Sequence, residues 1–291
     1  MDRRGYLRAL CAGGALSLAG CLGGSDGTAP GVADGTLTVA AATTVHDSGL
    51  LADLSAGFED AFGASVRAVV RGTGAALRTA SDGDCDAVLV HARPLEDEFL
   101  RAGHGVNRRA VMGNDFLVVG PSDDPAGVAD RGPLDAFRAI AASDTPFLSR
   151  GDRSGTHVRE RRIWEAAGVE PGGDWYRETG QGMGATLVAA DETGAYTLVD
   201  RGTFLNTETG LAAHVARGLD DPPDLLRNEY AVIPTNPARH DVAYALAMAF
   251  VGYLTGPAQK RIAAFRVDGE PAFRPLARSE QPEFDQYAPS E

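Results

Sequence analysis

Short apolar runs with strand character alternate with longer helix-like runs along almost the whole chain. No other feature constrains the fold as much. The strand-like runs fall at 37–42, 65–70, 87–91, 115–119, 196–199 and 230–234. The helix-like runs fall at 50–62, 74–80, 94–102, 133–142, 156–167, 185–191, 212–219 and 242–255. Such an α/β succession is satisfied by a mostly parallel sheet with helices on both faces, because each crossover helix covers one face of the sheet it feeds. Pro222-Pro223 and the stretch 127–133 read as surface loops. No solenoid repeat and no coiled-coil heptad interrupts the pattern.

The chemistry concentrates where strands hand over to helices. The stretch Ser149-Arg150-Gly151-Asp152-Arg153-Ser154-Gly155-Thr156-His157 runs straight into a helix-like segment. Ser154 stands at the N-cap position, and Gly155 and Thr156 offer backbone N–H groups in the first turn. Those groups and the positive end of the helix dipole attract an anion. Arg150 adds a planar fork of donors suited to an oxoanion. Alone, the stretch is equally an ordinary capped helix beside a solvated arginine. It is not alone. Thr43-Thr44-Val45-His46-Asp47-Ser48-Gly49, Arg71-Gly72-Thr73-Gly74 and Gly180-Gln181-Gly182-Met183-Gly184 are junctions of the same kind. Four of them point to helix N-termini converging on a negatively charged ligand.

Charge sharpens this expectation. Forty acidic residues stand against 27 basic ones, a formal charge of −13, and Lys260 is the only lysine. An acidic surface with arginine in place of lysine reads as adaptation to high salt, which screens the self-repulsion. It excludes general nucleic-acid binding, which needs a basic field. An anion binder built on such a chain must create a local positive pocket, and Arg150 with the helix termini can supply one.

The N-terminus predicts where the protein works. Residues 2–8 are basic, with Arg3-Arg4 resembling a twin-arginine export signal, and residues 9–20 are apolar but too few to span a bilayer comfortably. Leu18-Ala19-Gly20-Cys21 resembles a lipobox, with Cys21 lipid-modified after cleavage; the alternative is a simple secretory peptide with an incidental cysteine. The predicted organisation is a signal peptide at 1–20 and a lipid-anchored flexible tether at 21–35, on the extracellular face of the cell membrane. Removing residues 1–20 takes away three arginines and one aspartate, leaving the mature chain near −15. With Cys11 in the signal and Cys21 as anchor, Cys85 stands alone, so no internal disulfide and no metal-ligand spacing is expected. Cys85 is expected to pack at the start of a buried strand.

Several motifs occur together: Asp47-Ser48-Gly49-Leu50-Leu51, Gly72-Thr73-Gly74, Asn114 to Pro121, Ser149 to His157, Trp175-Tyr176, Gly180 to Gly184 and Tyr196 to Thr203. In this combination and order, over residues 36–273, the chain resembles the tungstate-binding component of tungstate ABC importers. It departs from that family at one loop, where Ala41-Ala42-Thr43-Thr44 stands in place of Thr-Thr-Thr-Ser. The resemblance implies a two-lobed, type II periplasmic-binding-protein-like fold, each lobe a mostly parallel sheet flanked by helices. Residues 36–115 and 231–291 would form one lobe and 116–230 the other. The segments 114–121 and 228–234, alike in their polar–aromatic–apolar–proline form, would be the two crossover strands. It further implies an interlobe cleft for tungstate, or a similar tetrahedral oxoanion such as molybdate, and hinge closure around it. Thr43, Thr44, Thr73 and Gly74 would reach the ligand from one lobe; Arg150, Ser154, Gly155, Thr156 and Arg201 would reach it from the other. The implied partner is an ABC permease with its ATPase. A monomer without cofactor or metal ion is expected.

Individual residues carry second readings. Thr44 and Thr73 serve equally well as caps. Arg201 is either a second ligand arginine or the partner of Asp200, and Asp152 is expected to orient Arg150. His157 and Glu160 lack the wider ligand set of a metal site and are expected on a helix surface, while Trp164, Trp175 and Tyr176 are expected to pack the second lobe. Phosphate is the alternative ligand: phosphate receptors carry a similar Arg-x-Asp-x-Ser-Gly-Thr stretch. Phosphate keeps a proton near neutral pH and needs a carboxylate acceptor, a role Asp47 and Asp152 leave open. A serine hydrolase is the alternative of another class, from Ser154, His157 and Asp152. However, His157 lies one turn from Ser154 on the same helix, and no G-x-S-x-G elbow is present, so no enzymatic activity is expected.

Overall fold

A computed structural model describes residues 35–143 and 145–277, all within one compact unit, Val32–Glu291. The predicted signal peptide, Cys21 and all of the tether but Gly35 lie outside the described residues. The first half runs β1 (Thr36–Ala42), α1 (Thr43–Asp47), α2 (Leu50–Phe62), β2 (Ser65–Arg71), α3 (Thr73–Ser81), β3 (Ala87–Val90), α4 (Arg93–Arg101) and β4 (Arg109–Gly120). Then follow α5 (Pro133–Ala142), β5 (Phe147–Ser149), α6 (Gly155–Ala167), β6 (Tyr176–Glu178), α7 (Met183–Thr193), β7 (Thr197–Asp200), α8 (Arg201–Asn206) and β8 (Ala212–Val215). The chain continues through β9 (Arg227–Pro234), α9 (Tyr244–Thr255) and α10 (Ala258–Ala264), and a short strand at Arg274–Pro275 pairs with β4.

Among the described residues the main sheet runs β4-β9-β3-β1-β2, with β7 and β8 added on β4. The ladders β1–β2 and β1–β3 are parallel, as strand–helix–strand crossovers require. Those of β9 with β3 and of β4 with β9, β7 and β8 are antiparallel. The sheet is therefore mixed, where the alternation predicts a mostly parallel one. The reason lies in β4 and β9, which are not steps of a crossover but carry the chain out and back side by side. The first half of β4 pairs with β9, from Arg109↔Val232 to Asp115↔Arg227; the second half pairs with β7, from Phe116↔Asp200 to Val119↔Thr197. A single twelve-residue strand thus serves two cores. Leu37, Leu54, Phe58, Val232 and Phe250 lie in the first, with Ala76, Val88 and Ile233 on the opposite sheet face. Phe116, Phe137, Phe147, Trp164 and Tyr196 lie in the second, with Leu117, Met183, Leu187 and Val199 behind them. Trp175 and Tyr176 pack on the Trp164 cluster, as expected.

Two local expectations are corrected. Residues 212–219, read as a helix, begin instead as strand β8, because the end of β4 offers an unpaired edge from Val118 to Gly120. A backbone ladder there outweighs about two weak helical turns. Residues Thr43–Asp47, read as a junction, are themselves a helical turn. Cys85 is buried and unpaired just before β3, and burial pushes its thiol up to about 11.

Candidate anion site

The N-termini of α3 and α6 meet face to face. A Cβ built on Gly72, the N-cap of α3, would lie 3.1 Å from Asp152 Oδ2 and 3.5 Å from Ser154 Cβ. One on Gly74 would lie 3.0 Å from the Arg153 carbonyl oxygen. The starts of α1 and α7 adjoin them: the Thr43 methyl is 3.9 Å from a Cβ built on Gly182, and Gly184 N–H donates to Asp47 Oδ2 at 3.4 Å. All four junctions singled out in the sequence are thus brought together.

Arg150 stands at their centre, only 2% exposed. Its Nη2 donates to Asp152 Oδ2 at 2.6 Å, Nη1 to Thr43 Oγ1 at 2.9 Å and Nε to the Gln181 carbonyl at 3.2 Å. Asp152 orients Arg150, as expected, and its other oxygen accepts from Ser154 N–H at 3.0 Å. Between them Gly151 has φ +64°, a left-handed turn that lets the two side chains face each other. Ser154 caps α6 by accepting from His157 N–H at 3.2 Å. Arg153, by contrast, is exposed.

Two hydroxyls on the helix starts gathered here have no partner among the described residues. They are Thr73 Oγ1, in the first turn of α3, and Thr156 Oγ1, in the first turn of α6. Both side chains are buried, and a buried hydroxyl without an acceptor is costly. The N-caps of α3, α7 and α1, namely Gly72, Gly182 and Ala42, provide no side-chain cap. The cluster therefore presents hydroxyl and backbone donors around a guanidinium, which is what a multiply charged oxoanion takes up.

Thr44 is committed elsewhere. Its hydroxyl accepts from Tyr230 O–H at 2.9 Å and lies 3.3 Å from His91 Nε2. His91 is buried and held neutral, its pKa driven down to about 4 by desolvation. Its Nδ1 is 2.8 Å from Asn228 Oδ1, while Asn228 Nδ2 donates to Asn114 Oδ1 at 2.7 Å and to Tyr230 Oη at 3.0 Å. Asn228 Oδ1 can only accept, so Nδ1 carries the imidazole proton and Nε2 takes that of Thr44. Asn114 passes the network on to Asp200 Oδ1 at 3.3 Å. Burial lifts Asp200 to about 6, and it caps α8 by accepting from Thr203. His91 also forms a wall of the site: a Cβ on Gly155 would lie 2.6 Å from its ring. Sequence reasoning missed His91, Asn228 and Tyr230. The matching polar heads of the crossover segments, Asn114 and Asn228, were the available signal.

Two placements, those of Arg201 and Glu160, differ from expectation. Arg201 forks onto the fully buried Asp115, with Nε at 2.6 Å and Nη2 at 2.8 Å, rather than pairing with Asp200. Glu160 is not on the helix surface but buried against Trp164 Nε1 at 3.1 Å and Tyr176 Oη at 2.8 Å, and burial raises it to about 7. The ring of His157 does not face Ser154: its Nδ1 accepts from Arg153 N–H at 3.0 Å, and its Nε2 lies 3.9 Å from Glu178. Asp152 is taken up by Arg150, so the three triad-type residues form no relay. Among the described residues no group of three His, Cys, Asp or Glu is placed to hold a metal ion.

A family model described as a PBP superfamily domain matches residues 25–258. The tungstate-binding protein TupA of Peptoclostridium acidaminophilum is 40% identical over 252 residues, 84% of this chain and 87% of that protein. The chain belongs to the TupA-type tungstate-binding family. A Haloferax volcanii protein named for ABC transporter anion binding is 50% identical to this TupA-type chain, over 99% of it and 90% of the relative. The crystal structure of a tungstate ABC transporter protein from Geobacter sulfurreducens is 43% identical and superposes with a TM-score of 0.70, covering 76% of this chain and 94% of that one. These TupA-type relatives are solute-binding proteins of ABC transporters, not enzymes.

Proposed function

We propose that the chain is a lipid-anchored receptor that closes two lobes, 36–115 with 231–291 and 116–230, on tungstate or molybdate and delivers it to an ABC permease. The observation that carries this reading is the pair of buried, unpartnered hydroxyls, Thr73 Oγ1 and Thr156 Oγ1, on helix starts that flank the buried Arg150. Thr43, Thr73, Gly74, Arg150, Ser154, Gly155 and Thr156 make the contact set. Thr44 positions the first loop through His91 and Tyr230, and Arg201 braces the start of α8 on Asp115. Both oxygens of Asp152 already hold a donor, Arg150 and Ser154 N–H. A fully deprotonated tungstate asks only for donors, whereas phosphate must also find an acceptor in Asp152 or Asp47.

Calorimetric titration with tungstate, molybdate, sulfate and phosphate tests the ligand. Submicromolar tungstate binding is expected, about −8 kcal/mol or stronger. Arg150→Ala removes a buried charge-assisted fork of about 1.5–3 kcal/mol, so affinity should fall roughly tenfold or more. Arg150→Lys keeps the charge but not the planar fork and should recover only part. Exposed Arg153→Ala should change little. Equal losses at Arg150 and Arg153 would refute the contact set, and phosphate binding without tungstate binding would reverse the ligand. The anchor is tested separately: Cys21→Ser should move the protein from the membrane fraction into the medium, and unchanged fractionation would remove the anchor from the proposal.

A further inference from the structure

On a chain of formal charge −13, one cleft gathers arginines. It has a volume of about 320 Å³ and is walled by Arg93, Arg108, Arg159, Arg162 and Arg227. Asp224 and Glu229 line it as well, Asp224 through its backbone carbonyl toward Arg159. Arg93 is paired with Asp97, and Arg108 with Glu96 and Glu229. Those charges are matched. Arg159 and Arg162, one turn apart on α6, take part in no ion pair among the described residues. Arg159 Nη1 has only the Asp224 carbonyl, at 2.7 Å, and its guanidinium lies 5.9 Å from the centre of the Phe116 ring. Arg227 Nε has no partner among the described residues, while its Nη2 pairs at 3.5 and 3.7 Å with the carboxylates of Asp221 and Asp224, both in open solvent. Burial and the nearby Arg162 lower the Arg159 guanidinium to about 10, with Arg227 adding to them and the Asp224 carboxylate acting against them. Like charges held together in a partly desolvated cleft are a standing cost that a bound anion would relieve.

We propose that this cleft is a second anion site for a small multivalent oxoanion, separated from the Arg150 site by the buried His91 ring. His91 lines the cleft on one side and abuts Gly155 on the other. Donors come from α6 on one wall and from the start of β9 on another, so the ligand must offer charged oxygens in more than one direction. The volume lies at the small end of the range for small-molecule pockets, which suits such an ion. The proposal uses none of the Arg150 contact set and stands apart from the tungstate reading.

The test is calorimetric titration of the full chain with inorganic pyrophosphate, at an ionic strength fixed with sodium chloride. Wild type and Arg150→Ala should bind it with the same affinity, because Arg150 is not in the cleft. The exposed reversal Arg162→Glu should weaken pyrophosphate binding about tenfold or more while leaving tungstate affinity unchanged. Arg159→Gln with Arg162→Gln should weaken it similarly, with retained tungstate binding showing that the chain is folded. The proposal is overturned by any of three results: no binding to wild type, loss of binding in Arg150→Ala, or wild-type affinity in Arg162→Glu. Failure of the tungstate reading would appear elsewhere, as tungstate affinity indifferent to Arg150.

Discussion

Burial raises the Glu160 carboxyl from its ordinary range to about 7, with Trp164 and Tyr176 donating to it. The folded state therefore holds the Glu160 proton more tightly than the unfolded chain does. Its contribution to stability is fully present below about pH 4.5 and is lost as pH rises through about 7. Glu160→Gln keeps an acceptor for both donors and has no charge to bury. Relative to the wild type, the variant should gain on the order of 3 kcal/mol between pH 4 and pH 8. His91 and Asp200 titrate in both proteins and cancel in the comparison. Urea unfolding at the two pH values measures it; parallel pH dependences would mean that Glu160 is ionised in the folded protein.

At the scale of elements, β4 and β9 matter most, since Asn114 and Asn228 lie opposite each other where β4 leaves one core for the next. Their amides hold His91, and His91 leaves room on α6 only for a hydrogen at Gly155. At an exposed helix start Gly→Ala would be neutral or stabilising. Here the added methyl meets a ring fixed by Asn228 and Thr44, so Gly155→Ala should destabilise by about 1–3 kcal/mol and weaken tungstate binding together. A thermal melt and a tungstate titration check both effects. An unchanged or raised melting temperature would mean that the ring is free to move. The same scale explains β8: Ala212 to Val215 took strand form because β4 had an open edge, a fact of pairing that no local pattern carries.

For the whole molecule, charge dominates. With −13 over 291 residues and a single lysine, self-repulsion opposes compaction at low ionic strength. Raising salt from about 0.01 to 1 M shortens the screening length from about 30 Å to 3 Å, so folding stability should rise over that range. Thermal melts across a sodium chloride series give the measurement, and a flat series would argue against adaptation to high salt. An acidic surface also makes local compensation necessary wherever an anion is to bind, and Arg150, held by Asp152, Thr43 and the Gln181 carbonyl, provides it.

The sequence by itself determined the α/β class, most helix positions and the four junctions that the fold brings together. Those depend on local periodicity and on Gly, Ser and Thr at helix starts, which act over a few residues. Helices 50–62 and 133–142 begin and end as the pattern predicts. Arg150 and Asp152 were legible as a pair for the same reason, being two residues apart across a glycine. Only the tertiary structure decided what depends on distant partners. The antiparallel course of β4 and β9 follows from how the chain returns, not from either strand's own residues. Arg201 lies on Asp115, 86 positions away, although Asp200 precedes it in the chain. Thr44 lost its hydroxyl to His91 and Tyr230, whereas Thr73 and Thr156 kept theirs unpartnered. Residue type could not separate these threonines, because a buried hydroxyl is free or spent according to what the rest of the fold places beside it.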